Sequence, residues 1–140
     1  MRYWDSSAVI SLLVEEESTP ALRSLLEKDS SQTVWCLTPV EIASALARRL
    51  REGLPAGSDE AFRSAWRILS DRWREIVSLE LVRSRALRLL NAHPLRAGDV
   101  LQLAAALVAC DERPEALPFV CLDDRLRDAA RREGFPVLPA

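Results

Sequence analysis

This sequence of 140 residues is poor in the side chains most often used for proton transfer and metal binding at neutral pH: it has one histidine, His93, and one lysine, Lys28. A single histidine excludes a zinc site built on several imidazoles, and a Ser-His-Asp triad would have to run through His93 alone. The single lysine lies in Leu26-Glu27-Lys28-Asp29 with no glycine beside it, which excludes a glycine-rich phosphate loop. Cys36, Cys110 and Cys121 are odd in number and widely spaced, so they read as buried thiols in a reducing compartment, without a disulfide or ligand role. Long apolar runs are also missing. The longest, around Val100 to Cys110, carries Gln102 and is too short to span a bilayer, while the N-terminus meets a carboxylate at Asp5 before any signal-peptide core; a cytoplasmic location is the expectation.

What the chain has in quantity is carboxylate: 21 acids stand against eighteen arginines and the one lysine, for a net charge of −2. The length suits one domain over residues 1–140, burying roughly two thirds of its unfolded surface. Short apolar runs at Arg2 to Trp4, Thr33 to Leu37, Ile76 to Leu79, Phe119 to Leu122 and Pro136 to Leu138 predict strands. Between them, helical patterns run near Ser7 to Glu16, Pro20 to Lys28, Pro39 to Glu52, Asp59 to Trp73, Leu81 to Ala92, Ala97 to Cys110 and Asp124 to Glu133. This alternation predicts βαβ units and a parallel sheet covered on both faces. Ile42, Leu46 and Leu50 with Ala43 and Ala47, and Phe62, Ala65, Trp66, Leu69 and Trp73, form apolar stripes that read as core faces. Val100 to Ala109 is apolar almost all round and belongs in the interior, which makes a charge at its entrance, Asp99, expensive unless compensated.

In open parallel sheets ligands bind at the carboxyl ends of the strands. Acids fall at several of these junctions: Asp5 after the first strand, Glu41 after the second, Asp123 and Asp124 after Phe119 to Leu122, and Asp99 at the start of the buried helix. Each also has a local explanation. Asp5, Asp99 and Asp123 fit helix N-caps, and Thr38 with Glu41 fits a capping box with Pro39 at the first helical position. Capping does not explain why four junctions are acidic together. A metal pocket does, because gathered carboxylates repel one another unless a cation neutralises them, and oxygen ligands without imidazole or thiolate favour Mg²⁺ or Mn²⁺ over Zn²⁺.

The motifs Tyr3-Trp4-Asp5-Ser6-Ser7-Ala8, Thr38-Pro39-Val40-Glu41-Ile42-Ala43, Leu95-Arg96-Ala97-Gly98-Asp99-Val100 and Phe119-Val120-Cys121-Leu122-Asp123-Asp124-Arg125-Leu126, followed by Ala129-Ala130 and Gly134, resemble the PIN-domain family and, more narrowly, VapC-type toxins of bacterial toxin-antitoxin pairs. The likeness spans nearly the whole chain. It implies a three-layer α/β/α fold with a central parallel sheet, an acidic pocket binding Mg²⁺ (with Mn²⁺ as a substitute), and endonucleolytic cleavage of RNA by water that leaves a 5′-phosphate. By motif position Asp5, Glu41, Asp99 and Asp123 match the family's four acids. Asp5, Asp99 and Asp123 would be the nearer metal ligands, Glu41 would act through water, and Ser7 matches the small polar residue assisting the first acid. The Asp123-Asp124 doublet leaves the fourth acid's register ambiguous; Leu126, three residues after Asp123, favours Asp123 and leaves Asp124 as a cap or accessory acid. Gln102 stands where many relatives have histidine and, lying outside the acidic quartet, is expected to change little.

A net charge near zero argues against strong nonspecific binding to nucleic acid, yet local patches suffice. Arg48, Arg49, Arg51 and Arg96 are candidates for holding RNA phosphates; a solvated face with surface salt bridges explains them equally. The resemblance implies two protein partners, a small cognate antitoxin and a second copy in a homodimer, and the Phe62, Trp66, Leu69 and Trp73 stripe suits a docking groove. Two other readings remain: a noncatalytic module whose acids are caps, and an aspartyl-phosphate phosphotransfer domain, which the lack of a second lysine and of an Asp-x-Asp pair disfavours.

Overall fold

The computed structural model describes residues 1–55 and 57–140. Its elements are β1 (Arg2–Trp4), α1 (Ser6–Leu13), α2 (Thr19–Lys28), β2 (Gln32–Trp35), α3 (Thr38–Arg51), α4 (Ser58–Ser70), β3 (Trp73–Ile76), α5 (Leu79–Leu89), α6 (Ala97–Ala109), β4 (Phe119–Val120), α7 (Asp124–Glu133) and β5 (Val137–Leu138), with a 3-10 turn at Pro114–Ala116. The five strands pair in parallel in the order β3-β2-β1-β4-β5.

Successive residues of a strand point to opposite faces, and here the alternation builds two cores. Tyr3, Trp35 and Phe119 pack on one face beneath α5, α6 and α7. Trp4, Val34 and Val120, their immediate neighbours in sequence, pack on the other face with α1, α3 and α4. The result is the three-layer arrangement expected of a parallel sheet. Helix α6 lies inside, with every residue from Gln102 to Leu107 buried. All three central strands end at the same edge of the sheet. Because the chain runs outward from β1 to β2 and β3 on one side and returns to β4 and β5 on the other, the order reverses between β1 and β4, where a crevice opens.

Three expectations need correction. The third strand is Trp73–Ile76, not Ile76 to Leu79, and Trp73 accordingly leaves the α4 stripe, which ends at Ser70. This strand lies at the sheet edge, where Arg74 and Glu75 can face solvent, so no continuous apolar run marks it. The Ile42 stripe is only partly core: Ile42 is buried, whereas Leu50 is 41% exposed and Ala43 is also exposed. Of the three thiols, only Cys121 is buried; Cys36 and Cys110 are partly accessible, and all three are free.

Candidate active site

Four carboxylates meet at the carboxyl edge of the sheet. A cleft of about 460 Å³ is lined by Asp5, Glu41, Asp99 and Asp123 together with Ser6, Ser7 and Arg48. Asp5 follows β1 directly and is the N-cap of α1, its Oδ2 accepting hydrogen bonds from the Ser7 amide at 3.0 Å and the Ser7 hydroxyl at 2.5 Å. The Cys121 thiol donates to the same oxygen from 3.5 Å. Burial pushes this thiol well above its ordinary range, so it is a protonated donor and not a thiolate. Oδ1 of Asp5 is buried and has no hydrogen-bond partner among the described residues. Burial, with a smaller contribution from the Glu41 charge, raises the Asp5 carboxyl to about 6 against the pull of the Ser7 donors.

Glu41 lies on the first turn of α3, but no capping box forms there: Leu37 is the N-cap, and the glutamate side chain turns into the cleft. Its Oε2 accepts from the Ser6 hydroxyl at 2.8 Å and its Oε1 from the Gln102 amide at 2.8 Å. Asp99 is also not a cap, since α6 has Arg96 as its N-cap residue and Asp99 sits within the first turn. Its carboxyl is raised by burial and then by the charges of Asp123 and Glu41, while Arg96 and Arg125 act in the opposite direction. Asp123 caps α7 by accepting from the Leu126 amide at 2.9 Å. Asp124 is the first residue of α7, exposed, and absent from the cleft lining, so Asp123 is the acid of the doublet that faces the other three. Arg127 steadies this turn by donating to the Cys121 carbonyl at 2.7 Å and the Pro139 carbonyl at 2.6 Å, which ties the end of β4 to the chain beyond β5.

The predicted arginines divide. Arg48 lines the acidic cleft, and Arg96 lines an adjoining hollow of about 280 Å³ with Asp99, Asp123 and Arg125. Arg49 instead pairs with Glu16, and Arg51 borders neither space. Sequence reasoning missed Arg125, although its place two residues after Asp123 on the first turn of α7 was a usable signal. It also underrated Gln102, which is fully buried and touches Glu41. His93 belongs elsewhere: its Nε2 lies 2.6 Å from Glu133 Oε1 and it does not line the acidic cleft.

The donors suit a hard divalent cation. All are carboxylate or hydroxyl oxygens, the one thiol is held protonated, and the buried Asp5 Oδ1, without a partner among the described residues, is an oxygen such an ion could take. Among the described residues, no three acids form a ready-made ion cage. A second cleft, about 590 Å³ and largely apolar, runs between α3 and α4 and is lined by Leu46, Leu50, Phe62 and Trp66 with Arg63 and Arg67 at its rim. Of the stripe proposed for docking, Phe62 and Trp66 face this groove, while Leu69 is buried and Trp73 lies in β3, its ring 5.3 Å from Trp66. No helix among the described residues is long and apolar enough to cross a membrane.

No family model matches the sequence. Two curated proteins do: Ribonuclease VapC45 of Mycobacterium tuberculosis (strain CDC 1551 / Oshkosh) and Ribonuclease VapC49 of Mycobacterium tuberculosis (strain ATCC 25618 / H37Rv), each 31% identical over 141 residues and covering 99% of this chain and 94% of the relative. Among solved structures, a toxin-antitoxin complex from Klebsiella pneumoniae superposes with a TM-score of 0.63 at 14% identity, over 88% of this chain and 87% of that one. FitAcB from Neisseria gonorrhoeae superposes with a TM-score of 0.65 at 13% identity, over 98% and 96%. The fold is therefore shared with these structures, and the sequence identity over nearly the full length of both relatives assigns membership: the chain belongs to the VapC ribonuclease family of PIN-domain toxins.

Proposed function

We propose that this protein is the toxin of a toxin-antitoxin pair, an endoribonuclease that hydrolyses RNA phosphodiester bonds in the cleft formed by Asp5, Glu41, Asp99 and Asp123. The observation that carries the reading is the convergence of these four acids, from four separate segments, on one cleft at the crevice of the sheet. Capping accounts for Asp5 and Asp123 but not for Glu41 or Asp99.

Asp5, through its free Oδ1, with Asp99 and Asp123 would hold a divalent cation, Mg²⁺ or Mn²⁺. When bound, such an ion acidifies a water and neutralises charge developing on the phosphate oxygens. The residues supply the rest. Ser7 and Cys121 occupy Oδ2 of Asp5 and leave Oδ1 as its unpartnered oxygen. Glu41, held between Ser6 and Gln102, orients the attacking water and accepts its proton. Arg48 on one side and Arg96 with Arg125 on the other bind flanking phosphates of a single strand. Asp124 stays outside this machinery as a first-turn acid of α7.

The test is RNA cleavage by purified protein with Mg²⁺ or Mn²⁺, with chelator, and by Asp99→Asn. Loss of cleavage in the last two supports the reading; Asp99→Asn cleaving as fast as the parent sinks it. Calorimetry with Mn²⁺ separates the noncatalytic alternative, which has no ion site for Asp99→Asn to weaken. The antitoxin partner would seat an apolar helix in the groove between α3 and α4, whose apolar lining with Phe62 and Trp66 suits helix-in-groove recognition. A homodimer belongs to the same proposal, and a strict monomer in sedimentation, both alone and with antitoxin, removes it.

A further inference from the structure

The interior helix α6 carries one fully buried polar side chain amid apolar ones, Gln102. Burying an amide is unfavourable unless its donors and acceptor are all satisfied. Here they are. Nε2 donates to Glu41 Oε1 at 2.8 Å and to Thr38 Oγ1 at 3.0 Å, and Oε1 accepts from the Tyr3 hydroxyl at 2.6 Å. The direction of the chain is dictated chemically, because an ionised carboxylate only accepts hydrogen bonds and must therefore face the amide nitrogen. That orientation points the amide oxygen at Tyr3, whose hydroxyl must donate. The Tyr3 ring is fixed by stacking on Phe119 with centroids 5.3 Å apart. A flipped amide would set its oxygen against the Glu41 carboxylate and lose the donor that Glu41 Oε1 accepts.

We infer that Tyr3 and Gln102 form a positioning relay that sets the orientation of the Glu41 carboxylate, Gln102 by donating to Oε1 and Tyr3 by anchoring the far end of the Gln102 amide so that its nitrogen stays on that oxygen. Glu41 is thereby gripped from two other elements, Ser6 of α1 on Oε2 and Gln102 of α6 on Oε1, while it lines the cleft from α3. Neither Tyr3 nor Gln102 lines the cleft, so both act through Glu41. The inference rests on the nuclease reading and adds residues that the acidic quartet does not include.

A double-mutant cycle on RNA cleavage tests it, with Gln102→Leu and Glu41→Gln made singly and together and Tyr3→Phe as the milder variant. A residue that acts only by orienting a catalytic group lowers kcat with KM nearly unchanged, by about 10- to 100-fold for Gln102→Leu and by about 3- to 10-fold for Tyr3→Phe. On the Glu41→Gln background, Gln102→Leu adds almost no further loss, since the carboxylate it served is gone. Independently of turnover, the side-chain amide resonance of Gln102 is protected from solvent exchange in the parent protein and loses that protection in Tyr3→Phe. Equal losses on both backgrounds, or an unchanged kcat in Tyr3→Phe with unchanged amide protection, overturn the inference. Asp99→Asn run alongside separates the two levels: if it abolishes cleavage while the cycle is additive, the relay alone fails, and if it leaves cleavage intact, the nuclease reading fails and the relay with it.

Discussion

At Asp5 the protein holds a carboxylate where burial opposes ionisation. A carboxyl whose folded value lies near 6 binds more protons in the folded than in the unfolded state, whose value is near 3.8. Stability of the metal-free protein therefore falls as pH rises through that window, by about 3 kcal/mol once Asp5 is fully charged. Asp5→Asn removes that dependence: urea unfolding in chelator is expected to show a variant more stable than the parent by up to about 3 kcal/mol at pH 7 and matched to it near pH 4, with RNA cleavage abolished. A parent protein whose unfolding is flat between pH 4 and 6 would contradict this. Added Mn²⁺ should stabilise the parent and not the variant, because binding only to the folded state raises its stability. The four acids were legible in the sequence because three of them stand where a strand gives way to a helix and Asp99 opens the buried helix α6. Gln102 was not legible, because an amide within a run of alanines, leucines and valines carries no period or spacing of its own, and its meaning depends on Tyr3, ninety-nine positions away in the chain.

At the scale of elements, the parallel sheet and its covering helices followed from the alternation of short apolar runs with longer helical periods. Edge position hid β3, since Arg74 and Glu75 interrupt the apolar pattern that marks buried strands. The exposed half of the α3 stripe had the opposite problem. Ala43, Leu46 and Leu50 look like core in sequence and instead floor a groove open to solvent. Leu50→Glu is therefore expected to leave folding and RNA cleavage close to the parent and to weaken antitoxin association at least about 10-fold, measured by calorimetry, since a buried unpaired carboxylate costs several times a hydrogen bond. Unchanged affinity would remove the groove from the docking proposal. Helix α7 ends at Gly134 with φ of 103°, a left-handed conformation in which a Cβ would also meet Pro114 Cγ at 3.2 Å. Gly134→Ala is expected to lower stability by about 1–2 kcal/mol in urea unfolding without altering the cleft.

Across the whole molecule the net charge of −2 averages two opposed surfaces. The cleft gathers four acids, while Arg48, Arg96 and Arg125 stand at its borders. Arg96 and Arg125 already offset the Asp99 charge in the free protein, and under the proposed function their guanidinium groups would pass from that duty to substrate phosphates when a cation neutralises the acids. An overall balance near zero then predicts weak general attraction to RNA combined with a few strong local contacts. Binding to single strands loses affinity with salt in proportion to the phosphates neutralised, about 0.7 in logarithmic slope for each. Replacing both Arg96 and Arg125 by alanine should make the fall of kcat/KM with salt shallower by about 1.4, whereas Arg23→Ala, which removes a cation paired with Glu15 on α2, should leave the slope alone. A slope that stays the same in the double variant would mean that these arginines serve only to balance Asp99 and Asp123, and the path of the RNA strand would then have to be sought on the Arg48 side of the cleft.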